Sequence, residues 1–267
     1  MRTRVPFWGI VLILLGALLM LGNLGVFGDM DVWALFWPLA LIALGVWVLL
    51  GVLYRGRAAE TESASIPLQG ASKAEIKIEH GAGRLRVSAG AGPDDLVAGD
   101  FTGGLNYKAE REGDTLQVKL RLDAPGSAFG PWNWGAGGSL DWNVRLNDQV
   151  PIALKVATGA SENELDLSGL RVTELKVSTG ASKTTITLPA NAGHTDAKVS
   201  AGAASVNVRI PEGVAAHIVA SSGLGAVTVD TTRFPRVEGA YQSPDYDAAA
   251  NKVDIKISTG AGSVDVS

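Results

Sequence analysis

Residues 158–188 read TGASENELDLSGLRVTELKVSTGASKTTITL, and this stretch contains one unit twice. The unit is a small residue, glycine, alanine and a second small residue, followed by a run in which apolar and polar side chains alternate. It returns as HGAGRLRV at 80–87, AGAASVNVRI at 201–210, SGLGAVTVD at 222–230 and TGAGSVDVS at 259–267. The glycines at 159, 180, 202 and 223 are spaced 21, 22 and 21 residues apart. A period near 21 with two short strands per unit suits a stacked β-coil (a β-solenoid), in which each coil completes the edge of its neighbour. Gly81, Gly159, Gly180, Gly202, Gly223 and Gly260 then mark equivalent corners of successive rungs. Glycine there supplies a backbone geometry that a Cβ resists, and Ala, Ser and Thr stack beside it without crowding the next coil. Pro189–Gly193 and Pro211–Gly213 punctuate the opposite corner.

Alternation assigns faces. Ile186/Leu188, Val206/Val208/Ile210, Val227/Val229 and Val264/Val266 point to a core, and Thr187, Asn207, Arg209, Thr228 and Asp265 point outward. A slip of one residue would drive every valine into water, so burial fixes the register. Two intervals exceed the period. Between Gly81 and Gly159 lie strand-like segments at 96–101, 116–122 and 140–146 and a glycine-tryptophan insertion at about 124–142; between Gly223 and Gly260 lies a loop-like insertion at about 231–250. The chain stops at Ser267 inside its last strand, and an unpaired edge there would template self-association into a homo-oligomer.

Working outward from this β domain at 71–267, residues 56–70 (GRAAETESASIPLQG) have the composition of a linker, and residues 1–55 are of another kind. Phe7–Leu24 and Val32–Leu53 contain no ionisable residue. As helices they reach roughly 27 and 33 Å, enough to cross a hydrocarbon core of about 30 Å. The expectation is a transmembrane hairpin with helices at about 6–24 and 32–54. Arg2 and Arg4 precede it, Arg55 and Arg57 follow it, and Asp29 and Asp31 sit in the connector, which places both termini and the β domain in the cytoplasm. A cleaved signal peptide competes, but no small-x-small cleavage site follows the first stretch and a second spanning run comes soon after.

The two apolar runs, FWGIVLILLGALLMLGNLGVFG and WALFWPLALIALGVWVLLG, resemble the membrane region of LiaI/LiaF-type bacterial envelope-stress proteins. Beyond the linker, HGAGRLRV, LVAGDF and WNVRLNDQVPIALKVATGASENELDLSGLRVTELKVSTGAS resemble, in the expected order, the toast-rack domain that follows that region in LiaF-type proteins. The resemblance implies a bacterial membrane protein that modulates envelope-stress signalling, commonly through a two-component histidine kinase. The two-helix anchor departs from members with more helices.

The residue inventory narrows the chemistry. The chain has 267 residues and no cysteine, which excludes disulfides, thiolate metal sites and thiol nucleophiles. Lys+Arg 23 against Asp+Glu 27 gives −4, the wrong balance for a protein that neutralises nucleic-acid phosphates. His80, His194 and His217 fall at different positions of the repeat, so no metal site is expected. Serines abound without a G-x-S-x-G elbow, and the glycine corners lack G-x-x-x-x-G-K-[ST], so neither a catalytic nor a cofactor-binding set is expected. Asp94/Asp95 and Asp245/Asp247 follow Pro93 and Pro244 and read as turn chemistry. Phe129, Trp132, Trp134 and Trp142 form either a recognition surface or a plug for one end of the stack. The function expected is a non-enzymatic, membrane-anchored regulator whose partners are the bilayer and a sensor kinase. A structural scaffold, or an extracytoplasmic adhesin or glycan binder with inverted topology, fits the same residues.

Overall fold

Period-two alternation makes each repeat a strand, but the parity of burial changes partway along it. In Val172–Thr187, Leu175, Val177 and Thr179 are buried before Gly180, and Thr184 and Ile186 after it. A straight strand keeps one parity. The change therefore marks a bend that turns the apolar sides of both arms onto one core, and a single apolar cluster includes residues of both.

The computed structural model describes residues 61–122 and 140–267. The expected transmembrane helices and Arg2, Arg4, Arg55 and Arg57 lie outside the described residues, as do Phe129, Trp132 and Trp134. All regular elements described are strands: β1 (Thr61–Pro67), β2 (Lys73–Ala89), β3 (Asp95–Thr102), β4 (Leu105–Glu112), β5 (Thr115–Leu122), β6 (Asp141–Leu146), β7 (Ile152–Asp166), β8 (Val172–Thr187), β9 (His194–Arg209), β10 (Ala215–Leu224), β11 (Val227–Val229), β12 (Arg236–Val237), β13 (Ala240–Gln242) and β14 (Lys252–Val266).

The long strands β2, β7, β8, β9 and β14 are bent rungs stacked in parallel, each contributing an arm before its glycine and an arm after it. The sheet of first arms runs β4-β5-β2-β7-β8-β9-β14-β10-β13-β12, and that of second arms β1-β3-β6-β2-β7-β8-β9-β14-β11. At one end β5 pairs with the first arm of β2 and β6 with its second arm, both in parallel. Together β5 and β6 extend the ladder by one more rung, one arm each. At the other end β10 and β11 form the last rung.

Three sequence expectations are corrected. The final strand is not an edge. β14 lies between β9 on one side and β10 and β11 on the other, and Ser267 bonds Val208 and Ile210 of the neighbouring rung. The spatial order of corners is therefore Gly202, Gly260, Gly223, and Gly202 and Gly223 are not on successive rungs. Second, the linker ends earlier than its composition suggests, because β1 pairs antiparallel with β3 and buries Ile66. Pro67 ends that strand, where a missing donor costs no ladder bond. Third, the 231–250 insertion contains the β12/β13 hairpin, which pairs with β10.

Candidate functional site

The six corner glycines form a column. A Cβ built on Gly159 would lie 2.4 Å from the carbonyl oxygen of Gly81. The corresponding distances are 3.0 Å from Gly180 to Gly159, 3.0 Å from Gly202 to Gly180, 3.0 Å from Gly260 to Gly202 and 2.7 Å from Gly223 to Gly260. None of the six has a positive φ, so the requirement is for space and not for a special backbone conformation. Positive φ occurs two residues later, at Gly83, Gly225 and Gly262. A shallow depression of about 640 Å³ follows the column, lined by Ser178, Ser200, Ser258, Gly202 and Gly260 and by no charged group.

The outward face of the first arms carries charge in rows. Lys108, Lys119, Lys77, Lys155, Lys176, Lys198 and Lys256 are register partners across seven neighbouring strands. At about 4.8 Å per strand these seven lysines stand side by side on one face. Two residues earlier on each parallel strand, and two later on antiparallel β4, runs a second row, Glu110, Gln117, Glu75, Ala153, Glu174, Asp196, Asp254 and His217. The rows neutralise each other unevenly. Lys155 pairs with Glu75, Lys176 with Glu174 and Lys108 with Glu110. Glu79 takes Lys77 at 2.7 Å, Lys119 at 3.0 Å and Arg121 at 2.6 Å, and these cations, Lys77 foremost, outweigh burial and hold its carboxyl down at about 2. Among the described residues Lys198 and Lys256 make no ion pair. Sequence reading missed the row, although its signal is simple: lysine stands four residues before Gly81, Gly159, Gly180, Gly202 and Gly260, and only Val219 breaks the pattern before Gly223.

At that same end, β14 brings together histidines that stand at different repeat positions. Asp254 is the register partner of Asp196 on one side and of His217 on the other. His194 Nε2 lies 2.7 Å from Asp254 Oδ2, and His217 Nδ1 lies 3.3 Å from Asp254 Oδ1. Tyr246, delivered by the 231–250 insertion between the two turn aspartates, hydrogen-bonds Asp254, and its ring lies 6.0 Å from that of His217. Burial pushes the phenol up and Asp254 pushes it further. Burial alone would raise the Asp254 carboxyl, but Tyr246 and His194 outweigh it and hold it below the usual range. Ligand atoms of His194, Asp196 and Asp254 all lie within 4.8 Å of one another, and a depression of about 510 Å³ opens over Asp196, Asp254, His217, Lys198 and Lys256.

Trp142 is not part of a surface. It is fully buried in β6, 5.0 Å from Phe101 in edge-on contact and 5.1 Å from His80. The alternation Trp142, Val144, Leu146 explains this, since all three face the core. His80 is buried too, with Nε2 3.0 Å from the Leu140 carbonyl, and burial lowers its pKa. Asn147 pins the turn at Asp94/Asp95, donating to Asp95 O at 2.9 Å and accepting from Gln149 N at 2.9 Å.

A bent, parallel ladder with a small-residue corner and a hydrophobic N-terminal segment defines a class of membrane-tethered β-repeat protein. Residues 55–209 match the family model for the N-terminal domain of toast_rack, DUF2154, and residues 6–49 match that for the LiaI-LiaF-like transmembrane region. The first match covers more than half of the chain, and the chain belongs to the toast-rack family, with a membrane region of the LiaI-LiaF type. No curated protein matches it significantly. A crystal structure of a candidate cell adhesion protein from Clostridium sporogenes has the same fold, with a TM-score of 0.68 at 21% identity, covering 78% of this chain and 98% of the other.

Proposed function

We propose that the chain is a membrane-anchored, non-enzymatic regulator of cell-envelope stress signalling, with its β ladder in the cytoplasm and in contact with a membrane sensor kinase. The observation that carries this reading is the pairing, in one chain and in order, of a LiaI-LiaF-like transmembrane region with a toast-rack domain. The orientation rests on Arg2, Arg4, Arg55 and Arg57 flanking two spanning helices, with Asp29 and Asp31 between them. The contact surface assigned is the striped outer face of the first arms, where fixed rows of opposite charge select one register of an opposing protein. A reporter fused after Ser267, together with a photo-crosslinker at Lys198 in native membranes, tests the reading. Cytoplasmic activity of the reporter and capture of a sensor kinase are expected. A reporter active only outside the membrane, or crosslinks to no membrane signalling protein, overturns it.

The likeness to the Clostridium sporogenes protein supports a second reading, an extracytoplasmic adhesive or glycan-binding module. It requires the opposite topology, so the same reporter separates the two. An end-to-end scaffold loses its motive, because the final strand is paired on both sides.

A further inference from the structure

We propose that His194, Asp196 and Asp254 bind one divalent transition-metal ion, with Zn²⁺ the best fit. An imidazole beside two carboxylates is a borderline-to-hard donor set, which suits zinc and its neighbours better than calcium or magnesium. The donors come from two adjacent strands, β9 and β14, so their spacing is set by the ladder itself. Ligands about 2.0–2.2 Å from a tetrahedral metal stand roughly 3.4 Å apart. The observed separations, 2.7 Å from His194 Nε2 to Asp254 Oδ2 and at most 4.8 Å within the His194, Asp196 and Asp254 set, bracket that value and need only rotamer adjustment.

A second observation concerns cost. Asp196 and Asp254 are direct register partners, and like charges placed opposite each other destabilise a sheet. Histidines flank Asp254, but Asp196 has no ion pair among the described residues, and a cation between the carboxylates would offset the repulsion. Tyr246 supplies an outer hydrogen bond that orients Asp254, as partners of metal-bound carboxylates do. The depression over the cluster gives an ion access from solvent. The arrangement depends on β14 lying beside β9, which is why neither repeat position nor sequence spacing of these residues reveals it.

The test uses the full chain without an affinity tag, in detergent micelles, titrated with Zn²⁺ by calorimetry and with Co²⁺ by visible absorption. One equivalent of Zn²⁺ per chain, a raised thermal midpoint and tetrahedral Co²⁺ ligand-field bands are expected, with no response to Ca²⁺. His194→Gln and Asp254→Asn should each weaken binding at least tenfold while far-ultraviolet circular dichroism keeps its strand signature. Asp254→Asn also relieves the carboxylate repulsion, so it should fold without metal. Absence of Zn²⁺ uptake by the parent chain, or uptake unchanged in both variants, overturns the proposal.

Discussion

A methyl group added at Gly159 would lie 2.4 Å from the carbonyl oxygen of Gly81, and one added at Gly180 would lie 3.0 Å from that of Gly159. Backbone cannot yield as a flexible side chain can, so Gly159→Ala should cost about 1–3 kcal/mol and Gly180→Ala should fall at the low end of that range, measured by urea unfolding of the full chain. The recurrence of these glycines was legible in the sequence; the reason for them was not, because close approach of neighbouring carbonyls is a property of the stacked rungs. Titration of Glu79 and His80 is likewise visible only in three dimensions. Glu79 falls from 4.5 to about 2 on folding, so its contribution is complete above 4.5 and is lost as pH drops toward 2. Glu79→Gln should flatten the acid limb of a stability curve over that window. His80 is held neutral, with its pKa below 6.5, so it costs nothing above 6.5 and destabilises as pH falls beneath that value, where the unfolded chain takes up the proton more readily. Stability measured in small steps downward from pH 6.5 should decline in the parent and less steeply in His80→Gln.

At the scale of elements, β14 holds two ladders, to β9 on one side and to β10 and β11 on the other. Truncation after Asn251 should therefore abolish the fold of everything beyond β9 and expose the edge of β9, read out as aggregation and loss of strand signal. The milder Ile255→Ala, at a buried position of β14, should cost about 2–5 kcal/mol in thermal or urea unfolding without changing the fold. Alternation in the sequence established which face of each strand is buried, but it is silent about neighbours, since any rung of this pattern can pair with any other. The lysine four residues before the corner glycine carried the missing information. Lys256 matches Lys198, whereas β10 has Val219 there, so β14 resembles an interior rung more than β10 does. β4 escaped detection for the opposite reason, as an outer strand exposed at most of its positions, with only Leu105 and Ala109 packed against the core. Trp142 sat at the edge of a glycine-rich stretch whose composition suggested a surface, while its own alternation with Val144 and Leu146 already assigned it to the core.

For the molecule as a whole, the proposed function divides the labour between the membrane region, which confines, and the ladder, which presents a face. Confinement raises the effective concentration of the ladder near membrane partners without adding a contact. A protease site inserted between Gly56 and Glu60, just before β1, should on cleavage leave the ladder folded and abolish the signalling output, measured with a stress-responsive reporter; output that survives cleavage would mean that tethering is dispensable. The membrane region was legible as uncharged apolar sequence and the repeat as a 21–22-residue period, because both are written in local pattern. The insertion of β14 also imposes an order in time. The ribosome delivers this strand after both of the strands it must separate, so β9 and β10 emerge early with their inward edges bare. The nascent ladder thus waits for its closing piece, and any stall before residue 252 leaves sticky edges, a natural substrate for chaperones.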